Sequence, residues 1–383
     1  MFRPGPDRRS AAPRRHGLPA AAPALLGYAA VRLTGMAVLA VVAAAQGKDA
    51  LHRLDRRWDA VWYVRIAEHG YGFDVTLPDG SVHSDLAFFP LLPALERLVS
   101  RVLPVDAATA GLAVGWIAAF AAAWGIHAVG ARVAGQRVGV LLAVLWGVYP
   151  TAFVQSMAYT ESLFTALAAW SLYAVLTGRW IAAGSLCALA GLTRPSAAAL
   201  VAALCVTAVA GVVRGGWASL RWRTVAGVLL APLGWVGYVC FVAVREGSVT
   251  AYFDVQAAWG NRVDGGVALA LFTWGQLTGG SPLAGVGLVA ALGLLFWVVW
   301  LCVQQHQPLP VLVYTIGIVV ISLIGAAYFG SRPRLIMPAF PLLLPAAAAL
   351  ARLPLRSVVP VTGALAVVSG VYGAFTLLGS GPP

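Results

Sequence analysis

Trp58-Asp59-Ala60-Val61-Trp62-Tyr63-Val64-Arg65-Ile66-Ala67-Glu68-His69-Gly70-Tyr71 is a polar, aromatic stretch inside an otherwise membrane-like chain. It belongs to a segment, Asp49 to Asp106, that holds nine of the fourteen acidic residues. Leu54, Trp58, Val61, Trp62 and Ile66 repeat at the spacing of one helical face. The pattern predicts a short amphipathic helix over 54–66, lying at a membrane surface with two tryptophans on its apolar side. Asp55 and Asp59, four residues apart, would be neighbours on its polar side. There they either pair with Arg53, Arg56 and Arg57 or face a site. Gly70-Tyr71-Gly72 should end the helix, and a polar turn follows at Pro78-Asp79-Gly80. Ala87-Phe88-Phe89-Pro90-Leu91-Leu92-Pro93 then returns to the membrane surface; on its own it reads as an interfacial anchor.

Composition around this stretch decides the class. Of 383 residues, 60% are hydrophobic and 10% charged, and the mean hydropathy is +0.82. A water-facing surface needs more charge than that. Runs near the roughly 20 residues that cross a bilayer as a helix recur throughout. The expected spans are 24–46, 107–130, 138–150, 157–177, 180–193, 195–213, 224–244, 283–303, 309–329, 335–350 and 357–379. The fold class is therefore an all-α polytopic membrane protein with about 11 transmembrane helices and a large first external loop carrying amphipathic helices. The runs 138–150 and 180–193 are too short to cross alone and read as half-helices or re-entrant pieces. The last residues of the first run look like a signal-peptide cleavage region, but Arg32 interrupts that run and many spans follow, so it should remain uncleaved.

The domain reading is a disordered, basic, cytoplasmic tail over 1–22, followed by one transmembrane unit over 23–383. With that tail inside, cytoplasmic loops hold Arg132, Arg137, Arg179, Arg214, Arg221, Arg223, Arg352 and Arg356 and no acid. That is the bias the positive-inside rule expects. The large external loops are then 47–106 and 245–282. Arg194, Arg332 and Arg334 also fall outside, where the rule disfavours them.

The net charge of +12 comes from arginines scattered between apolar runs. It reads as topology rather than nucleic-acid binding. Cys187, Cys205, Cys240 and Cys302 sit far apart within apolar runs and act as small core hydrophobes. No soluble stretch reaches the roughly 100 residues of a nucleotide-sugar-binding domain, so a sugar substrate would arrive on a lipid. Glu161 is the one acid within an apolar run. An intramembrane carboxylate is functional by default, and pairing with an arginine such as Arg194 is compatible with that.

The stretch from Trp58 to Tyr71, followed by Ala87 to Pro93, resembles the signature loop of the PIG-V mannosyltransferases. Later blocks match in order: Tyr149-Pro150 to Tyr159-Thr160-Glu161-Ser162-Leu163-Phe164, Leu192-Thr193-Arg194-Pro195, Ala251-Tyr252-Phe253 to Gln256-Ala257-Ala258-Trp259-Gly260, and Arg332-Pro333-Arg334 to Pro338-Ala339-Phe340-Pro341. The resemblance covers roughly residues 24–350. Trp62 stands where eukaryotic relatives tend to carry histidine, and the insert between Tyr71 and Ala87 is longer. The resemblance implies a GT-C-like fold and a polyprenyl-phosphate-sugar donor.

Such a donor brings its own leaving group. What remains is a base for the acceptor hydroxyl and cations for the departing phosphate. The expected catalytic residues are Asp59 as base, with Asp85 or Glu161 assisting. Arg194 and Arg334 lead as phosphate ligands, because the planar guanidinium donates two parallel hydrogen bonds. Arg332, Trp58, Tyr159, Phe253 and Trp259 complete the candidate substrate-binding set. Phe253 and Trp259 would stack on sugar, steer the prenyl chain or anchor at the interface. No metal site or cofactor is expected, although Asp59 and Asp85 could share a divalent ion.

The resulting reading is an inverting mannosyltransferase in a bacterial cell membrane, active on the extracytoplasmic face. Its partners are the lipid donor, membrane lipid and a glycan, glycolipid, protein or metabolite acceptor. A flippase of lipid-linked sugars and a non-catalytic membrane scaffold are the alternatives.

Overall fold

The computed structural model describes residues 18–78, 80–326 and 328–379. Among them the chain is helical but for one small hairpin. Its first half contains α1 (Leu18–Ala45), α2 (Ala50–Asp55), α3 (Asp59–His69), α4 (Leu91–Val102), α5 (Ala107–Ala134), α6 (Gln136–Gly147), α7 (Thr160–Leu176), α8 (Trp180–Gly191) and α9 (Ala197–Gly215). The second half continues with α10 (Trp222–Leu230), α11 (Leu233–Glu246), α12 (Ala251–Ala258), α13 (Val267–Gly275), α14 (Pro282–Gln304), α15 (Leu309–Ile324), α16 (Arg332–Ile336), α17 (Leu344–Leu350) and α18 (Leu355–Leu378).

Every apolar run expected to span is helical, but the runs are not equal. Among the described residues six helices are long and apolar enough to cross a membrane, α10 and α11 counting together as one. A pair bent by 77°, Phe329–Ile336 with Phe340–Leu350, makes a seventh if it is one broken span. α6 and α8 have 12 residues each, or about 18 Å at 1.5 Å per residue. That falls short of the roughly 30 Å hydrocarbon core. Length therefore supports a multi-pass protein and does not fix the count at eleven.

α5 is the hub, packing on α7, α6, α4 and α1. Asp106 starts it by accepting a hydrogen bond from the Thr109 amide at 2.9 Å. α8 lies close against α10 and α11. A Cβ on Gly184 would fall 2.1 Å from the Gly227 carbonyl oxygen, so only glycine lets these backbones meet. Of the basic tail expected over 1–22, residues 1–17 lie outside the described residues. The rest is helical, because α1 begins at Leu18.

The segment over 47–106 departs from the single helix expected over 54–66. The helix breaks at Arg56–Trp58, where Trp58 adopts φ 51°, ψ −122°, and it restarts at Asp59. Asp55 and Asp59 therefore do not share a helical face. Nor is Asp55 paired with its neighbouring arginines. It is buried, one carboxylate oxygen has no partner, and burial holds its carboxyl above the ordinary range. Arg56 instead bonds Asp106. α3 ends as expected at Gly70, φ 82°, and Arg97 covers the last carbonyls, those of Ile66 and Ala67, at 3.0 and 2.6 Å.

Around the polar turn runs a two-stranded antiparallel hairpin, β1 (Asp74–Thr76) with β2 (Val82–Ser84), pairing Asp74 with Ser84. The Ala87–Pro93 run is not an interfacial anchor: Phe88, Phe89 and Leu92 are buried within the protein. Removing each from water contributes about 1.5–3 kcal/mol. The carbonyls here also accept bonds from Tyr71 and Tyr238 (both to Phe88), from Tyr238 (to Leu86) and from Gln256 (to Ala87), at 2.8–3.0 Å. Tyr238 of α11 and Gln256 of α12 thus fasten this run to the rest of the protein.

Candidate active site

Asp59 is the first residue of α3, and its position is set on both sides. Its amide donates to the Tyr159 hydroxyl at 3.2 Å. Its Oδ2 lies 2.9 Å from Arg334 Nη1. Tyr159 sits just before α7, 1% exposed, and the Arg334 guanidinium lies 5.2 Å from its ring centroid, within cation–π range.

Glu161 lies in the first turn of α7. Its Oε1 forms ion pairs with two arginines, Arg194 Nη1 at 2.6 Å and Arg334 Nε at 3.3 Å, though neither nitrogen is aligned for a hydrogen bond. Arg194 comes from the α8–α9 connection and Arg334 from the bent pair, so four distant parts of the sequence meet. The result is a chain of alternating charge: Asp59, Arg334, Glu161, Arg194. Two carboxylates balance two guanidiniums, which is the condition for burying charge at all.

The members differ in access. Asp59 keeps 31% side-chain exposure against 12% for Arg334, 10% for Arg194 and 2% for Glu161. Glu161 Oε2 is buried without a hydrogen-bond partner, an open acceptor at the centre of the group. The Tyr63 hydroxyl lies 3.4 Å from Thr160 Oγ1 and ties α3 to the start of α7.

The other candidates sit elsewhere. Asp85 is fully buried, and its carboxylate accepts bonds from the Gly72 and Phe73 amides at 3.0 Å. Burial raises its carboxyl, and these amide bonds oppose the shift. It closes the hairpin and shares no partner with Asp59 among the described contacts, so the divalent ion considered for this pair has no support in the geometry. Among the described residues no three His, Cys, Asp or Glu side chains gather as metal ligands.

Arg332 is 4% exposed. Its guanidinium donates to the carbonyls of Ser322, Leu323 and Gly325 at 2.8–3.1 Å, closing the end of α15. Both terminal nitrogens are thus committed to the backbone, while the buried Nε has no hydrogen-bond partner.

Trp259 donates to the Ser84 carbonyl at 3.0 Å, stacks on His83 at 4.3 Å and meets Trp62 and Phe88 edge-on. It locks α12 to the hairpin and α3. Phe253 is 56% exposed and touches Tyr252, away from the charged chain. Trp58 lies beneath the Arg57 guanidinium, 4.1 Å from its ring centroid.

Sequence reasoning missed Arg57, Tyr63, Tyr238 and Gln256. Arg57 reads as one of three neighbouring arginines with nothing to name its partner. The others read as apolar-face or loop residues, because their contacts join segments far apart in the chain.

The helical bundle has a GT-C membrane glycosyltransferase fold. The same fold is seen in ArnT from Cupriavidus metallidurans, solved bound to undecaprenyl phosphate, at 19% identity and a TM-score of 0.54, covering 85% of this chain and 61% of that one. Its apo form gives 21% identity and a TM-score of 0.52, covering 85% and 60%. The apo oligosaccharyltransferase of Archaeoglobus fulgidus gives 14% identity and a TM-score of 0.50, covering 88% and 56%. The chain thus spans about 60% of the length of the ArnT structures it matches.

No curated protein matches it by sequence. The family model for the mannosyltransferases of the PIG-V type matches residues 32–244, more than half of the sequence, and the chain belongs to that family.

Proposed function

We propose that this protein transfers mannose from polyprenyl-phosphate-mannose to an acceptor hydroxyl, with inversion at the anomeric carbon, on the extracytoplasmic face of the membrane. The observation that carries the reading is Arg334, held between an accessible carboxylate, Asp59, and a buried one, Glu161. Family membership supports the sugar, and the solved relative that binds undecaprenyl phosphate supports a lipid-phosphate carrier.

In this reading Asp59 is the general base, since it alone of the two carboxylates is reachable from solvent. The acceptor oxygen attacks the anomeric carbon as the bond from that carbon to the phosphate oxygen breaks. The acceptor proton passes to Asp59, and the electron pair of the broken bond leaves with the polyprenyl phosphate. The product phosphate carries one more negative charge than the donor, and Arg334 and Arg194 receive it. Glu161 holds both arginines in place, and its free Oε2 accepts a sugar hydroxyl.

The extracytoplasmic assignment rests on charge. With all eleven apolar runs taken as crossings, the arginine-rich, acid-free loops fall on one side and the segments bearing Asp59, Glu161, Arg194 and Arg334 on the other.

The test is to supply purified protein in lipid with labelled polyprenyl-phosphate-mannose and, separately, labelled nucleotide-mannose, with membrane extract as acceptor. Label should leave the lipid donor and enter product only in the first case. Transfer from the nucleotide sugar, or label that stays on the lipid, would overturn the reading.

A further inference from the structure

The residue before Asp59 carries a backbone that its side chain disfavours. Trp58 sits at φ 51°, ψ −122°, the conformation of the first central residue of a type II′ turn, where glycine is usual. The turn is closed by the Ala60 amide donating to the Arg57 carbonyl at 3.2 Å. Among the described residues only Trp58 and His306 have positive φ without being glycine. Such a conformation persists only where surrounding contacts over-determine it.

Those contacts are present. Arg57 Nη1 donates to the carbonyls of Leu377 and Gly379 at 2.8 and 3.0 Å, at the end of α18. Lys48 covers the Leu378 carbonyl between them at 2.8 Å. Cations at a helix C-terminus are favoured, so Arg57 is fixed to a rigid support. Its guanidinium lies over the Trp58 indole, 4.1 Å from the ring centroid. On the far side of the turn the Asp59 amide reaches Tyr159, and the Asp59 carboxylate reaches Arg334. A relaxed residue 58 would let the helix of α2 run on into α3 and rotate Asp59 away from both.

We propose that Arg57 and Trp58 are positioning residues: bolted to the end of α18, they hold a strained turn that aims the Asp59 carboxylate at Arg334. The turnover part of this inference rests on the transfer reaction proposed above; the stability and exchange parts do not.

The experiment compares Trp58→Gly with Trp58→Ala, and Arg57→Ala with Arg57→Lys, in the full chain in lipid nanodiscs. Both Trp58 variants lose the indole, but only glycine accepts the positive φ. Trp58→Gly should therefore melt higher and turn over faster than Trp58→Ala, the reverse of the usual order in which glycine loosens a chain. Arg57→Ala should raise amide hydrogen exchange across residues 58–61. It should also lower kcat roughly 10- to 100-fold, the scale of a misplacement near 1 Å, with KM for the donor unchanged. Arg57→Lys should recover part of both.

Trp58→Ala melting at or above Trp58→Gly would show that the turn is not strained. Unaltered exchange and kcat in Arg57→Ala would remove the positioning role. If wild type transfers nothing from the lipid donor, the proposed reaction fails, while the melting order and the exchange still decide the turn.

Discussion

Arg334 Nη1 lies 2.9 Å from Asp59 Oδ2 and joins the start of α3 to the bent pair near the end of the chain. The same guanidinium reaches Glu161 through Nε at 3.3 Å. Arg334 thus does not depend on Asp59 for its charge balance. In the proposed reaction Asp59 takes up a proton, Glu161 still anchors the guanidinium, and the donors facing Asp59 turn to the new phosphate charge. The proposed base and phosphate ligand are thus coupled through one side chain.

Asp59→Asn keeps the shape and the amide bond to Tyr159 and removes the group that accepts the proton. General-base catalysis is typically worth about 10²–10⁴-fold, so kcat should fall by that order while donor binding persists. The check is single-turnover transfer of labelled mannose alongside equilibrium binding of the donor. Turnover within a few-fold of wild type would reduce Asp59 to a partner of Arg334 and leave the base unassigned.

Arg334→Lys keeps the charge but loses the two-pronged fork, and Arg334→Ala loses both. Donor affinity should fall in that order. The alanine variant should lose about 1.5–3 kcal/mol, the range for hydrogen bonds to charged groups, with acceptor affinity little changed. Arg194→Ala should behave alike, and the double variant should be less than additive, because both arginines meet one carboxylate and one phosphate. Donor titrations on the four variants measure this. Full additivity would separate the two arginines.

Much of the site is legible in the amino-acid sequence. Glu161, Arg194 and Arg334 stand out because membrane proteins rarely place such charges where these residues lie, so each needs a partner, and Asp59 stands out because it opens the motif of the one acid-rich loop. The fold pairs them with one another. What stays hidden is what local patterning cannot encode. The apolar spacing from Leu54 to Ile66 is truly helical in period, yet a single backbone conformation at Trp58 splits it, and nothing in the residue type announces that. Asp85 and Arg332 carry the charges expected of site residues, but their partners are backbone groups of a hairpin and of a helix end. Trp259, which reads as a sugar platform or an anchor, finds its ring enclosed by His83, Trp62 and Phe88.

The sidedness is tested by single cysteines in a background lacking Cys187, Cys205, Cys240 and Cys302. Positions Ser81 and Ser248, in the two external loops, should react with an impermeant thiol reagent in intact cells. Position Ser219, between α9 and α10, should react only after permeabilisation. Labelling at Ser219 alone would reverse the orientation and move the carboxylate–arginine chain to the cytoplasmic side.

Glu96, on α4, offers a pH test independent of the reaction. It is fully buried, neither carboxylate oxygen has a hydrogen-bond partner, and burial, aided by the charge of Glu68, pushes its carboxyl from 4.5 up to about 9. A carboxyl raised in the folded state binds a proton that the unfolded chain has released. Stability is therefore complete below the unfolded value and declines as pH rises toward the folded one. Each pH unit in that window costs about 1.4 kcal/mol. Glu96→Gln removes the titration while keeping the shape. Its melting temperature should match wild type near pH 4.5 and exceed it increasingly toward about pH 8, a margin set by the same linkage. Thermal unfolding of both proteins across that range measures the gap. A constant difference would mean that Glu96 is charged in the folded protein and that a donor reaches it.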